Sequence, residues 1–561
     1  MSFVGLLHSG LQDTIVGRSN ARATSANSIR RAAGNIDMTG KNFTQQGSGL
    51  ILDRRELMKS AAALGLSLGG LGALGGSALA ADTPKKGGTL KLGMEGGSAS
   101  DSLDPRTYAD SVPISYGYQI CNGFVEIGDD GLPKGELFES WEYKPGAKEW
   151  IFNIRKDVTF HNGKTLDADD AIYSINLHRG DTKSAAKDLL SSITDVKKLS
   201  ANQIQITLSE GNLDLPYNLS DYHVLCVPNG YSDFSKLVGT GAYKLEVFEP
   251  GVRVVTKNTG NYWKPGRGNF DGIELQYIQD QASRLQALIS GQVDAINRLD
   301  AKTMDIVTSS PDVSVVQSKG TGNRFAFVAL CDTDPYTNAD LRWALKYGMD
   351  RKKIVDTVYQ GYATVGNDTT ISPSHKYYAK DVPQTPYDPE KAAFHYKKAG
   401  SPKLELKVSE GAYNGATDAG LLYQEAMKQA GIDLTVTRVS GDGYWSNIWL
   451  KEPFCAVYWG GRPNIDLQLS QTFLSTANWN DTHWKRPEFD KLLISARVET
   501  DEAKRAQIYA ECQKMIHDDG GMVCYAVGDY LDAYSKKIMG TAPHPRYDMC
   551  DQRVAEKGWF A

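Results

Sequence analysis

Alternation of apolar and polar positions marks the strands of this chain. Thr89, Leu90, Leu92 and Met94 read as an early strand, Trp150, Phe152 and Ile154 as a second, and Ile204, Ile206 and Leu208 as a third. Between strands the period changes to that of a helix. Residues 281–290 predict a helix stopped by Gly291 and followed by a short strand at Val293 to Ile296. Leu341, Ala344, Leu345, Gly348 and Met349 share one face of another helix, with a further helix starting near Asp350. His161-Asn162-Gly163-Lys164 reads as a hairpin-type turn. Asp167 stands where a helix N-cap belongs, with Asp169 and Asp170 in the first turn, so this acidic cluster predicts capping before metal binding. Later strands are expected at 403–410, at "PFCAVYWGGRP", and as a pair in "MVCYAVGDYLDAYS", which follows a capped helix in "DEAKRAQIYAECQKMIHDDGG". The mixture is an α/β pattern.

The N-terminus departs from it. Residues 1–50 are polar and aperiodic and predict a disordered extension. Residues 51–80 place Arg54, Arg55 and Lys59 before an uncharged run that holds six glycines and ends Ala78-Leu79-Ala80. Glycines at that density suit a permanent membrane anchor poorly. The pattern resembles a twin-arginine export signal cleaved after about Ala80, which is read by a receptor as well as by hydrophobicity. The remaining chain is then expected to be soluble, periplasmic and free of a lipid anchor, since the first cysteine is Cys121.

Composition narrows the functions. The whole chain has 62 basic and 67 acidic residues, 8 and 4 of them before Ala81, which leaves 54 against 63, a net charge of −9. That balance argues against nucleic acid as a partner. The 7 cysteines include no CxxC pair, and they predict mainly buried small apolar residues, although Cys512 and Cys524 are spaced to allow a bridge. No P-loop, HExxH, G-x-S-x-G or dinucleotide-binding glycine pattern occurs. The expectation is no enzyme, no cofactor and no metal.

Several ordered motifs carry a family resemblance. They are Phe160-His161-Asn162-Gly163, Gly239-Thr240-Gly241-Ala242-Tyr243-Lys244-Leu245, Glu249-Pro250-Gly251, Asn261-Tyr262-Trp263, Gly291-Gln292-Val293-Asp294, Leu341-Arg342-Trp343-Ala344-Leu345, Met349-Asp350-Arg351 and Pro487-Glu488-Phe489-Asp490. Together they resemble the peptide/nickel class of ABC-importer substrate-binding proteins, solute-binding family 5, over nearly all of 85–545. The resemblance implies a bilobal periplasmic-binding-protein-like α/β fold of class II. Lobe one is expected over 85–320 plus 505–561, with an extra subdomain at about 120–235, and lobe two over 321–504. Crossings are expected near Ser318–Gly322 and Glu499–Arg505. The implied protein is a monomer that encloses a small-molecule or peptide ligand between the lobes, docks transiently on an ABC permease, and meets the twin-arginine translocase during export.

The resemblance also suggests a site. Relatives that bind free peptides place an aspartate three residues beyond the tryptophan matching Trp459, where it pairs with the ligand's ammonium. This chain has Arg462 there, within Trp459-Gly460-Gly461-Arg462. A guanidinium favours carboxylate or phosphate. Arg462 therefore either selects an anionic ligand group or forms an internal salt bridge, with Asp466 as the alternative acceptor for an ammonium. Trp479, Asn480 and Trp484 lie in a loop that faces the cleft in relatives. Tyr108, Tyr116, Tyr444 and Trp445 are further candidates, because tyrosine and tryptophan grip ligands by face and hydroxyl. The expected ligand is a peptide or peptide-like solute. An oligosaccharide, an opine or another anionic small solute is the alternative within this class. Two readings outside it are a periplasmic hydrolase, which predicts paired catalytic groups in the cleft, and a chaperone-like holder, which predicts an open apolar patch.

Overall fold

The computed structural model describes residues 83–561 apart from Asp442 and Pro463. The expected extension, the signal segment with Arg54 and Arg55, and cleavage after Ala80 lie outside the described residues.

Two sheets organise residues 83–561. The first has seven strands in the order Val313–Ser318, Tyr530–Ser535, Ala295–Ile296, Thr89–Met94, Gly272–Tyr277, Arg253–Asn258 and Tyr243–Glu249. Thr89–Met94 runs parallel to both of its neighbours, and the outer strands are antiparallel. The second sheet has six, in the order Ala363–Val365, Met522–Gly528, Arg324–Ala329, Phe454–Trp459, Leu404–Val408 and Leu434–Arg438. Helices cover both sheets, as the mixed periodicity implied. A separate four-stranded sheet, Phe138–Tyr143, Glu149–Ile154, Gln203–Leu208 and Ile193–Ser200, forms a subdomain on the first lobe. Its alternating Trp150, Phe152, Ile204 and Ile206 pack into a core of their own.

Local signals explain the element ends. Asp167 accepts from the backbone N–H of Asp169 and Asp170, and Asp170 returns the bond to the N–H of Asp167, which makes a capping box. Lys164 neutralises Asp170 at 2.5 Å, so the acidic cluster is accounted for without a metal. Caps of this kind contribute about 1 kcal/mol each. Asp280 caps the helix Gln281–Ile289, and Gly291 (φ +74) turns the chain out of it.

The return crossing differs from expectation. The helix Glu502–Asp519 belongs to the second lobe, where Tyr509, Cys512 and Ile516 share a core with Trp484 and Phe489. Met522–Gly528 then pairs with Arg324–Ala329 in the second sheet, and only Tyr530–Ser535 rejoins the first. The chain therefore returns at Gly528–Tyr530 instead of near Glu499–Arg505, and the second lobe runs on to Gly528. The two consecutive strands read from "MVCYAVGDYLDAYS" belong to different lobes.

Both crossings lie side by side. Gly322 N–H donates to Gly528 O at 2.8 Å, and Gly528 N–H donates to Asn323 O at 2.8 Å. A Cβ on Gly322 would stand 2.7 Å from Gly528 O, so glycine is required for this approach. A second set of contacts joins the lobes away from the crossings. Arg505 meets Asp214 at 2.7 Å, both buried, Leu213 N–H donates to Arg497 O at 2.8 Å, and Asn464 Nδ2 donates to Asn218 Oδ1 at 3.0 Å.

All seven cysteines are free thiols, and all but Cys331 are buried. Cys512 and Cys524 do not form the bridge their spacing allowed. Among the described residues no helix is long and apolar enough to cross a membrane.

Candidate functional site

A cavity of about 850 Å³ lies between the lobes beside the crossings. Both sheets contribute to its wall, as do Gly322, Gly528 and Asp529 of the crossings. The size suits a ligand of several residues or one compact organic molecule. Tyrosine dominates the lining: Tyr222 and Tyr547 from the first lobe, Tyr359 and Tyr458 from the second, and Tyr530 just past the return crossing. Phe325 stacks on Tyr359 with centroids 5.0 Å apart and planes at 3°. Such surfaces combine an apolar face with a hydroxyl that bonds to polar groups.

Around Arg298 the charges of the first-lobe wall satisfy one another, although Asp300 and Lys302 also line the cavity without an ion pair among the described residues. Arg298 reaches Asp110 at 2.5 Å, Asp548 at 3.2 Å and Glu95 at 3.8 Å, while Glu95 also meets Arg284 at 2.6 Å. The second-lobe wall differs. Arg462 lines the cavity and makes no ion pair among the described residues. Its Nε donates to Gln471 Oε1 at 2.5 Å, its Nη1 donates to Gly460 O at 3.2 Å, and its guanidinium lies 5.8 Å from the Trp459 ring centroid. The internal salt bridge considered for Arg462 is absent.

Of the residues expected to bind ligand, Gly460 and Arg462 line the cavity. Trp459 is buried behind them, and its indole N–H donates to Asp481 Oδ2 at 2.9 Å. Asp466 is not an acceptor for a ligand. It is buried against Arg497 at 2.9 Å, and burial pushes its carboxyl up to about 6 despite that arginine. Asn480 holds backbone oxygens of Phe473, Leu474 and Trp484. Trp484 is a core residue whose indole N–H donates to Asp519. Tyr108, Tyr116 and Tyr444 are buried with their hydroxyls donated to the backbone oxygens of Leu103, Ser102 and Ala456. These seven carry core packing, because an aromatic or polar residue beside a cleft strand can equally face inward.

Trp445 and Trp479 are 39% and 48% exposed and lie outside the lining. They belong to a chain of ring contacts. Trp445 meets Tyr458 at 5.4 Å and Trp449 at 5.7 Å, and Trp479 meets Trp449 at 6.0 Å and Trp459 at 6.2 Å. Asp481 sits beneath this array, fully buried with no cation paired to it among the described residues, and accepts from both Trp449 and Trp459 on one oxygen. Burial pushes its carboxyl up to about 7.

Sequence reading missed the tyrosines of the wall and Arg324. The available signal for Arg324 was a cation opening an otherwise apolar strand, "RFAFVA".

A two-lobed α/β chain with a cavity walled by both lobes is the architecture of a ligand-enclosing binding protein. Residues 133–481 match the family model described as "Bacterial extracellular solute-binding proteins, family 5 Middle", and the chain belongs to that family. It is similar to the glutathione-binding protein GsiB of Pectobacterium atrosepticum, 24% identical over 467 residues that cover 79% of this chain and 90% of the relative. Two solved structures share the fold. The binding protein AgaA of A. tumefaciens R10, in complex with agropinic acid, has TM-score 0.70 and 22% identity, covering 84% of this chain and 99% of that one. The periplasmic binding protein DppA of Helicobacter pylori, in complex with the peptide STSA, has TM-score 0.70 and 19% identity, covering 85% and 98%.

Proposed function

We propose that the protein captures a peptide or peptide-like solute between its lobes in the periplasm and delivers it to an ABC permease in the inner membrane. The observation that carries this reading is the cavity walled by both lobes. A ligand touching both walls favours the closed form over the open one, and that difference in affinity is what a permease reads. The protein acts as a monomer and performs no chemistry on the solute.

Relatives support the solute class. One is named for glutathione, and another was solved with a tetrapeptide. A second reading, an opine or other compact anionic solute, is favoured by Arg462 and by the likeness to a protein solved with agropinic acid. Delivery to the periplasm by the twin-arginine translocase rests on Arg54 and Arg55. Changing both to Lys is expected to stop export, and continued secretion contradicts that route.

Native mass spectrometry of the mature protein, purified gently from its own periplasm, tests the solute class. A ligand present at 100 times its dissociation constant stabilises the complex by roughly 2.7 kcal/mol, enough to survive mild handling. A ladder of peptide masses supports the peptide reading. A single non-peptide anion replaces it with the second.

A further inference from the structure

The second lobe holds a buried cation that no carboxylate neutralises among the described residues. Arg324 opens the strand Arg324–Ala329 and is 8% exposed. Its Nε donates to Thr370 O at 3.0 Å and its Nη1 donates to Gly322 O at 2.9 Å. No carboxylate forms an ion pair with it among the described residues. Burial pushes its guanidinium down to about 10, with Arg462 a further contributor, so it remains charged at neutral pH. His375, buried nearby, is pushed down to about 4 by burial and then by Arg324, and so carries no charge there. Buried arginines are ordinarily paired, because an uncompensated buried charge is costly.

Arg462 lines the cavity next to Gly461 and is likewise without a carboxylate among the described residues. The strip between them has no side chains. A Cβ on Gly461 would meet Arg324 Nη1 at 2.8 Å, and one on Gly460 would stand 3.5 Å from Arg462 Nη1. Glycine at both positions thus lets the Arg324 guanidinium pack against Gly461 from behind the wall, while Arg462 stands beside Gly460 on the cavity surface itself. Two positive groups held this close repel each other. An oxyanion at Gly460–Gly461 would relieve that repulsion and accept charge-assisted bonds from Arg462.

We propose that Arg462 on the wall, backed by the buried charge of Arg324 behind Gly461, forms an anion subsite at Gly460–Gly461, and that the captured solute places a carboxylate or other oxyanion there. This rests on the solute-capture reading and sharpens it: the aspartate that meets a ligand's ammonium in peptide-binding relatives is replaced by a cationic site, so the solute binds this wall by its anionic end. Both arginines lie on the second lobe, so the subsite exists whether or not the lobes close.

The test uses the mature chain, stripped of solute by unfolding and refolding, with acetate and inorganic phosphate as probes at constant ionic strength against chloride. The thermal midpoint is expected to rise saturably with at least one probe. The apparent dissociation constant should weaken at least about tenfold in Arg462→Gln, whose side-chain partners among the described residues are Gln471, Gly460 and the Trp459 ring. Arg324→Lys, which keeps the charge but loses the fork, should weaken it less. A response to acetate alone assigns a carboxylate solute, and one to phosphate alone a phosphoryl solute. No saturable shift in the wild type overturns the subsite. So does an equal shift in Arg462→Gln, which means an adventitious ion only. Failure of the lobes to close on solute would overturn the capture reading while leaving these shifts unchanged.

Discussion

The two walls of the cavity treat charge in opposite ways. On the first lobe, Arg298 is surrounded by Asp110, Asp548 and Glu95, and Glu95 is shared with Arg284. On the second, Arg462 lines the cavity and Arg324 lies buried behind Gly461, neither with a carboxylate, and Glu410 and Asp418 line it with no ion pair, among the described residues. A network whose members satisfy each other shapes a rigid surface and has little left to offer a ligand. Groups without an ion pair keep more capacity for one, although Glu410 already accepts from the backbone N–H of Gly415 and Thr417, and Arg462 donates to Gln471 and Gly460. The difference teaches that the first lobe supplies form and the second supplies polar recognition.

If so, disturbing the two walls should have opposite consequences. Arg298→Ala leaves the buried Asp548 and the adjoining Asp110 without their cation. It should destabilise the fold by about 3 kcal/mol, read as a lowered denaturation midpoint, because breaking a buried pair strands a charge. Gly322→Ala brings a methyl group to 2.7 Å from Gly528 O at the paired crossings. It should cost on the order of 1–3 kcal/mol, checked by chemical denaturation, and weaken solute binding with it.

Asp481 gives a pH test of the second lobe. Its folded pKa, about 7, lies above the ordinary aspartate value, so the folded state binds the proton more tightly than the unfolded state. Its contribution is fully present below the unfolded pKa near 4 and is lost as pH rises through about 7. Asp481→Asn keeps an acceptor for the two indoles. It should flatten the fall in thermal midpoint between pH 5 and 8, and an unchanged profile contradicts the protonated-carboxyl account. The smallest stability effect belongs to Arg462→Gln. It should move the midpoint by no more than about 0.5 kcal/mol while weakening solute binding at least about tenfold, separating recognition from folding by calorimetric titration.

Much of the fold was legible in the sequence because it is written locally. Alternation at Trp150, Phe152 and Ile154, the cap at Asp167 and the stop at Gly291 each act within a few residues. The return crossing was not legible. Gly528-Asp529 between two apolar strands looks the same whether the chain doubles back or passes to another sheet, and only the pairing of Met522–Gly528 with Arg324–Ala329 distinguishes them. The site was partly legible. Arg462 announced itself by departure from a family pattern, and Gly460 stood beside it in the same turn. The tryptophans and buried tyrosines did not sort into lining and core, because burial depends on partners remote in sequence: Trp484 meets Asp519, and Tyr444 meets Ala456. Arg324 gains its meaning only from Gly461, 137 residues away by the difference of their numbers.

Capture by closure is the central claim, and small-angle X-ray scattering tests it most directly. The mature protein is measured as purified, with its bound mass verified by native mass spectrometry, and again after the solute has been stripped and restored. The account predicts a compact particle with solute, a more extended one without it, and recovery of the compact form when solute returns. Identical scattering in all three states, with the bound mass lost and regained, contradicts it.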